Sequence, residues 1–338
     1  MEVNFTGPIT RRVVIDEQSQ VGQARRETQQ LARDLGFDEI DAGRAALVAT
    51  ELSTNILKHG LGGHLTLMPV AGRDCLGLEL CAIDRGPGFA LSEGLRDGYS
   101  TQGTQGIGLG GVQRQTQWMD AWSDARGAIV CARLYPGARQ DADQPYGGWR
   151  LPMHDETVCG DAWHLRHEGG CWTLVIIDGL GHGAAASVAA NAGVIAAAEA
   201  EPAASATAML QHLHASMNGT RGGATAVAQY EQGVLRFAGT GNISGALLDP
   251  QAGRSRGLAS HPGITGVGPF PRSRNDLLFA DAEGKLLALH SDGLQNRWNL
   301  KDYPGLALRH PALIAAVLIR DFDRGRDDAS LLILRLGN

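Results

Sequence analysis

The chain has 338 residues, of which 43% are hydrophobic and 20% are charged, a composition typical of soluble globular proteins. A formal net charge of -6 without any dense Lys/Arg run argues against nucleic acid as a partner. The N-terminus has no basic segment followed by an apolar stretch, and no run approaches the roughly 18 apolar residues of a membrane span, so we expect a cytoplasmic protein with no membrane partner. The five cysteines show no C-x-x-C spacing, which predicts neither a disulfide framework nor a zinc site.

The first part of the chain alternates helices and strands. Apolar residues at helical spacing, with glycines as helix stops, predict helices, and apolar or alternating runs predict strands. The predicted helices are residues 21–35, 42–59 and 111–118, and the predicted strands are residues 12–15, 65–70, 76–84 and 128–135. Residues 137–148 are polar, rich in Pro and Gly and without periodicity, as linkers are. Because one core rarely organises 338 residues, we predict a first domain over residues 1–136.

The remaining residues, 149–338, are predicted to form a second domain that is richer in strands. The predicted strands are residues 172–178, 224–230, 234–238, 245–248, 286–290 and 330–336, and the predicted helices are residues 184–200 and 312–321. Many strands with few helices favour a sandwich of sheets flanked by helices. The sequence therefore predicts an α+β protein of two domains.

Two polar residues stand four apart on the second predicted helix, at Glu51 and Asn55. This spacing places both side chains on one helix face, about one turn from each other. An Asn oxygen is a suitable ligand for Mg²⁺, and a Glu can accept a proton from an incoming hydroxyl. Asp84, at the end of a predicted strand, can accept a hydrogen bond from the exocyclic amine of adenine. Together these residues suggest a nucleotide site, although a Glu and an Asn on a helix usually form a solvated face.

Glycines follow these residues in two groups. Gly86 and Gly88 let the backbone turn tightly beneath a base. Gly106, Gly108 and Gly110 can offer backbone N–H groups to phosphates at the start of a helix. The second group is not the dinucleotide-binding fingerprint, because it lies far from the first strand and no acidic residue follows about 20 positions on.

At these residues the chain resembles the GHKL ATPase family, and within it the small serine kinases of the anti-sigma and RsbT switch-kinase group. Residues 51–60 (ELSTNILKHG) are similar to the N box, residues 84–89 (DRGPGF) to the first glycine box, and residues 97–111 (DGYSTQGTQGIGLGG) to the lid and second glycine box. The resemblance implies an α/β sandwich with helices on one face of a mixed sheet.

The same resemblance implies ATP and Mg²⁺ as cofactors. Asn55 would bind the Mg²⁺, Glu51 would act as the catalytic base, and Asp84 would contact adenine. The five glycines already named would surround the nucleotide. Kinases of this group often form dimers, so a homodimer is expected as one possible assembly.

Aspartates recur near predicted strand ends in the second domain, at Asp161, Asp178, Asp292, Asp327 and Asp328. Carboxylates from several strand ends can converge on two divalent cations about 4 Å apart, which activate a water for attack on a phosphate ester. A single Asp-Gly pair is more often a hairpin turn. Four positions of this kind in one domain, with the adjacent Asp327 and Asp328 counted as one, favour the metal site.

The complete set resembles the metal-dependent PPM serine/threonine phosphatases, specifically the SpoIIE and RsbX group. The matching segments, in the family's order, are residues 159–163 (CGDAW), 175–183 (VIIDGLGHG), 289–294 (LHSDGL) and 327–336 (DDASLLILRL). The resemblance implies an αββα sandwich that acts on phosphoserine or phosphothreonine and binds two ions of Mn²⁺ or Mg²⁺. The implied ligands are Asp178 (bridging), the Gly179 carbonyl, Asp161, Asp292 and Asp327, with Asp328 as a further candidate.

Two histidines accompany these motifs. Many SpoIIE-type members carry a second acid three residues after the first aspartate, where this chain has His164, so the number of metal ions stays open. His182 lies in a glycine-rich turn, where it can either reach the phosphate or serve packing and helix capping.

These motifs predict a bifunctional regulator of a partner-switching pathway. Its first domain would phosphorylate a Ser or Thr of a STAS-domain protein with ATP, and its second would remove phosphate from such a protein. One alternative is a phosphatase whose GHKL domain only senses ATP. Another is an N-terminal domain that sequesters a sigma factor or STAS protein by binding alone.

Overall fold

The computed structural model describes residues 2–88, 108–138, 142–154, 156–202, 205–271 and 274–337. Its contacts divide the chain into two compact units. We call Thr10–Gln144 the N-terminal unit, and Met1–Ile9 with Pro145–Asn338 the C-terminal unit. The fold is of the predicted mixed α and β class.

The unit boundaries differ from the predicted ones at both ends of the first domain. The first strand, β1 (Val3–Thr6), pairs antiparallel with β8 (Asp161–Glu168), so the chain begins in the C-terminal unit. Within the predicted linker, residues 146–148 belong to a strand of the C-terminal unit. Neither departure was visible in the sequence, because edge-strand pairing depends on partners more than 100 residues away.

The N-terminal unit contains a five-stranded sheet and three described helices. The strands are β2 (Arg11–Ile15), β3 (Gly63–Gly72), β4 (Cys75–Asp84), β5 (Trp118–Asp124) and β6 (Gly127–Leu134), and the helices are α1 (Gln18–Asp34), α2 (Glu39–His59) and α3 (Gly108–Gln115). The sheet order is β2-β3-β4-β6-β5. All four described pairings are antiparallel, so the expectation of a mixed sheet was wrong in this detail.

Helices α1 and α2 each begin three residues before the predicted starts at residues 21 and 42, directly after a capping residue. Glu17 and Gln20 form a capping box at the start of α1, and the side chain of Asp38 accepts the Asp41 N–H (2.7 Å) at the start of α2. Apolar faces of both helices bury against one face of the sheet, with Leu31 and Leu52 in a common core with Leu65. This packing holds α2, which carries Glu51 and Asn55, against the sheet.

Two cysteines of the N-terminal unit form a disulfide, Cys81–Cys131. They stand opposite each other on the neighbouring strands β4 and β6, with their Cα atoms 4.1 Å apart. The expectation that the cysteines form no disulfide framework is therefore wrong for this pair. Strand register brings them together, and their spacing of 50 residues gave no signal.

The C-terminal unit contains two further sheets. In addition to β1 and β8, the strands are β7 (Tyr146–Leu151), β9 (Cys171–Gly179), β10 (Gly223–Glu231), β11 (Val234–Thr240), β12 (Ser244–Asp249), β13 (Arg254–Leu258), β14 (Leu277–Phe279), β15 (Leu286–His290) and β16 (Ala329–Arg335), and the helices are α4 (Ala184–Glu199), α5 (Ala206–Ser216) and α6 (Pro311–Phe322). One sheet has the order β1-β8-β9-β10-β11-β14 and the other β13-β12-β15-β16-β7.

These elements form the predicted αββα sandwich. Helices α4 and α5 cover the first sheet, and α6 packs on β7 and β16 of the second. Trp163 of β8, in the first sheet, packs against Gly148 of β7, in the second. A Cβ added to Gly148 would stand 2.4 Å from the Trp163 ring, so the tryptophan lies between the two sheets. No helix in the described ranges is long and apolar enough to cross a membrane.

Candidate functional sites

In the N-terminal unit, Glu51 and Asn55 lie one turn apart on α2, and both are half-buried. Partial burial raises the pKa of Glu51, and the positive charge of Lys58 opposes that shift. A carboxylate whose proton affinity is raised by burial is suited to act as a general base near neutral pH. Sequence spacing alone had predicted the shared face.

Asp84 ends β4 with its carboxylate held by the backbone. Its Oδ1 accepts the N–H of Gly86 (2.8 Å) and of Ala128 (3.1 Å). Two glycines make room for this arrangement: a Cβ on Gly60 would stand 2.5 Å from the Asp84 Cβ, and one on Gly127 would stand 2.1 Å from the Asp84 carbonyl oxygen. Both bonds use one carboxylate oxygen, which fixes the orientation of the group.

The glycines predicted to surround the nucleotide are partly described. Gly88 has a φ of +73° and Gly108, at the start of α3, a φ of +58°, conformations that favour glycine. Gly86 and Gly110 are buried. A Cβ on Gly86 would stand 2.8 Å from the His59 carbonyl, so this turn packs against the end of α2. Gly106, like most of the predicted lid, lies outside the described residues.

In the C-terminal unit, Asp161 and Asp178 stand directly opposite each other on β8 and β9. Asp161 is buried and Asp178 is half-buried. Burial raises the pKa of Asp161 to about 7, and the charges of Asp328 and Asp327 add to the rise. Burial raises the pKa of Asp178 to about 8, with further contributions from Asp161, Asp292, Asp327 and Asp328. The four neighbours identified in this way are the other aspartates predicted from sequence.

Asp161 and Asp292 each have a partner that sequence reasoning missed. The Ser291 hydroxyl donates to Asp161 Oδ2 and accepts the Ser330 N–H at 3.0 Å. Asn242 Nδ2 donates to Asp292 Oδ2 at 2.8 Å. Ser291 lies within the Ser-Asp-Gly motif and could have been singled out there. Asn242 carries no such signal.

Asp327 and Asp328 are neighbours in sequence with different surroundings. Asp327 is exposed, whereas Asp328 is buried. Asp328 Oδ1 accepts the Met153 N–H and its Oδ2 accepts the Gly160 N–H, each at 2.8 Å. The buried carboxylate therefore connects β16 to the loop that leads into β8, and so helps to position Asp161.

The donor chemistry of these residues suits a hard divalent cation. Carboxylate oxygens and a backbone carbonyl are the preferred ligands of Mg²⁺ and Mn²⁺. Burial, and after it the charges of neighbouring aspartates, raises the pKa of Asp161 and of Asp178, and a bound cation would favour the ionised form of both. Among the residues described, no three His, Cys, Asp or Glu side chains are grouped closely enough to hold one metal ion by themselves. Mg²⁺ commonly binds through only one or two carboxylates together with water and substrate phosphate, and the site fits that pattern.

Gly179, the last residue of β9, follows Asp178 and contacts Gly160, the residue before Asp161. A Cβ there would stand 2.3 Å from the Ala186 carbonyl oxygen and 2.9 Å from that of Gly160, and the Gly179 N–H donates to Gly160 (3.0 Å). Only glycine fits this close approach of β9, α4 and the loop before β8. The backbone next to Asp178 is therefore fixed from two sides.

Each of the two histidines singled out from the sequence, His164 and His182, forms a hydrogen bond with a residue that does not belong to the set of aspartates. His164 bonds through Nδ1 to the Thr6 hydroxyl (3.0 Å), and burial lowers its pKa to about 4. Because side chains alternate along a strand, His164 lies on the opposite sheet face from Asp161. His182 is exposed and bonds through Nδ1 to Glu156 Oε1 (2.8 Å).

Two families match the chain. The Stage II sporulation protein E family matches residues 168–337, which is half of the chain. The chain belongs to the SpoIIE family.

Residues 15–134 match the histidine kinase-like ATPase domain. Serine/threonine-protein kinase RsbT of Bacillus subtilis (strain 168) is 37% identical over 92 residues, which cover 27% of this chain and 69% of RsbT. This SpoIIE family member thus joins an RsbT-like ATPase domain to a SpoIIE-type phosphatase domain.

Solved structures resemble a part of this SpoIIE family member. A chain from the bacterial stressosome, a modular system adapted to control secondary messenger signalling, has 25% identity and a TM-score of 0.50, and the match covers 56% of this chain and 98% of that one. RsbX in complex with magnesium has 18% identity and a TM-score of 0.45, with 56% and 94% covered.

Proposed function

We propose that this SpoIIE family member is a bifunctional regulator that adds phosphate to Ser or Thr of a partner protein and removes it. The observation that carries the phosphatase half is the opposed pair Asp161 and Asp178 on β8 and β9. The stressosome likeness supports a partner-switching role, and by its resemblance to the switch kinases the partner is a STAS-domain protein in the cytoplasm.

In the phosphatase site, Asp178, Asp161, Asp292, Asp327 and the Gly179 carbonyl would hold two ions of Mn²⁺ or Mg²⁺. When bound, the metal supplies an activated water and neutralises charge on the phosphate. Asp178 would be the ligand shared by both ions, and the charges of Asp161, Asp292, Asp327 and Asp328 around it support this role. Ser291 and Asn242 orient Asp161 and Asp292 through their hydrogen bonds. We propose that Asp328 positions Gly160 and Met153 rather than binding metal.

The phosphatase proposal is tested with p-nitrophenyl phosphate and a phosphorylated STAS-domain protein. We expect turnover that requires Mn²⁺ or Mg²⁺ and is abolished in Asp178→Asn. The matched control is Asp281→Asn, whose side chain is 93% exposed, and it should retain activity. Absence of metal-dependent turnover of either substrate by the wild type would count against the proposal.

In the N-terminal unit, Asn55 would hold Mg²⁺ and Asp84 would accept the adenine amine through Oδ2, since Oδ1 already binds two backbone N–H groups. Glu51 would accept the proton of the attacking hydroxyl, for which its raised pKa is suited. Gly86, Gly88, Gly106, Gly108 and Gly110 would surround the nucleotide. The match to RsbT over 92 residues supports this assignment.

The kinase proposal is tested by incubation of the protein with radiolabelled ATP and a STAS-domain protein encoded beside it. The Asp178→Asn background prevents loss of the label by dephosphorylation. Label on Ser or Thr supports the kinase. ATP binding without transfer, combined with a change in phosphatase rate, would replace it with an ATP-sensing role, and capture of the partner without nucleotide would favour sequestration.

A further inference from the structure

A cleft of about 670 Å³ lies beside Asp327 in the C-terminal unit. It is lined by Gln295, Asn296, Arg297, Arg324, Arg326 and Asp327. Its walls come from the two loops that also carry Asp292 and Asp327, the first following β15 and the second preceding β16. Any ligand in this cleft is therefore adjacent to the proposed phosphatase site.

Backbone hydrogen bonds connect the two walls of the cleft. The Gln295 N–H donates to the Phe322 carbonyl and the Arg324 N–H to the Gly293 carbonyl, each at 3.0 Å. Leu294 and Asp323 also form an antiparallel bridge. The arginines therefore project from a paired, ordered base, and their spacing is set by the fold.

The charge of the cleft is opposite to that of the chain. Three exposed arginines outnumber the single aspartate, Asp327, in its lining, whereas the whole chain has a formal charge of -6. A guanidinium binds carboxylate and phosphate through paired N–H groups. The volume lies within the roughly 300–1,000 Å³ of sites that hold ligands much larger than one phosphate group. A peptide segment with several negative side chains fits both the charge and the size.

We propose that this cleft binds acidic side chains flanking the phosphorylated residue of the protein substrate, with Arg297, Arg324 and Arg326 as its specificity residues. The inference rests on the proposed phosphatase function, because the cleft selects what reaches that site. Because these arginines are exposed to solvent, their contribution is to substrate binding and selection, and it weakens as salt is raised.

The test compares two phosphoserine heptapeptides, one with Glu on both sides of the phosphoserine and one with Gln at the same positions. For the wild type we expect a lower KM for the Glu peptide. In Arg324→Ala/Arg326→Ala, KM for the Glu peptide should rise about three- to tenfold with little change in kcat. KM for the Gln peptide should change much less. Arg254→Ala, an exposed arginine on β13, is the matched control and should keep the preference.

A second measurement separates failure of this inference from failure of the phosphatase function. Binding of the two peptides, labelled with fluorescein, is followed by anisotropy in metal-free wild type and in the double variant. Equal KM and equal binding for the Glu and Gln peptides would overturn the cleft proposal even if p-nitrophenyl phosphate is hydrolysed. If no substrate is hydrolysed, a binding preference that is lost in the double variant still supports the cleft, whereas its absence overturns it.

Discussion

Asp161 and Asp178 face each other across the β8–β9 pairing, with their side chains on the same side of the sheet. Burial and neighbouring carboxylates raise the pKa of both, to about 7 and about 8. Buried carboxylates with other negative charges nearby bind a proton or a cation more readily than isolated, exposed ones. The fold therefore keeps these two carboxylates opposite each other on neighbouring strands, at an electrostatic cost when no cation is bound.

Removing one of these charges should stabilise the metal-free protein. The folded pKa of Asp178 is raised above its unfolded value, so between about pH 4 and pH 8 the folded state binds more protons and stability falls as pH rises. Asp178→Asn should therefore gain about 1–3 kcal/mol at pH 8 and much less at pH 5. The thermal midpoint in EDTA measures this gain, with Asp281→Asn as the exposed control. An equal midpoint for both variants at pH 8 would contradict the explanation.

Loss of the Ser291 hydroxyl should affect both stability and the pH profile. Ser291→Ala leaves the Ser330 N–H without its hydroxyl acceptor, at a cost of about 1–3 kcal/mol. It also removes a hydrogen bond that lowers the pKa of Asp161, so the acid limb of the metal-dependent rate should move to higher pH. Denaturant unfolding and a pH–rate profile measure the two effects. Ser255→Ala, at an exposed position on β13, should change neither.

Glu51→Gln should separate nucleotide binding from phosphate transfer. The amide keeps the shape of the side chain but cannot accept the proton, so transfer should fall by about 10²–10⁴-fold. Nucleotide affinity should stay close to that of the wild type. Labelling of the partner and binding of a fluorescent ATP analogue give the two values. Glu39→Gln is the control on the same helix, since the Glu39 side chain is 74% exposed. Unchanged transfer in Glu51→Gln would remove Glu51 from the base role.

Two glycines at α2 should respond oppositely to alanine. A Cβ on Gly60 would stand 2.5 Å from the Asp84 Cβ, so Gly60→Ala must displace that carboxylate, and both stability and nucleotide affinity should fall. Gly43, exposed within α2, has nothing within 4 Å of the added Cβ. Gly43→Ala should stabilise by about 0.5–1 kcal/mol. Thermal unfolding and nucleotide titration would test the pair, and normal ATP affinity in Gly60→Ala would argue against the assigned role of Asp84.

An acid at position 164 should not add a metal ligand. His164 lies on the opposite sheet face from Asp161, beside Thr6, so His164→Asp would bury a carboxylate away from the other aspartates. We expect a loss of about 3 kcal/mol or more and no increase in bound Mn²⁺ per chain. Equilibrium dialysis measures the stoichiometry, with His164→Asn as a neutral control. Extra Mn²⁺ in His164→Asp alone would show that this face is open to metal.

Much of the fold was predictable because its signals are local. The apolar period of α2 and its stop at Gly60 lie within one segment, and the shared face of Glu51 and Asn55 follows from helix geometry, although the helix starts at Glu39 and not at the predicted residue 42. Residues 111–118 were predicted as a helix, whereas α3 ends at Gln115 and Trp118 begins β5. The predicted end of this helix, Trp118, is instead the first residue of β5, because it pairs with Arg133 of β6.

The sequence by itself determined which chemical groups are present and the order of their motifs, because each motif combines a few adjacent residues with a distinct local conformation. Only the tertiary structure decided which groups meet. It paired β1 with β8, joined Cys81 to Cys131, set Ser291 against Asp161 and turned His164 to the other sheet face. Each of these relations depends on strand register between distant segments, and a shift of one residue in register would reverse the face on which every side chain lies.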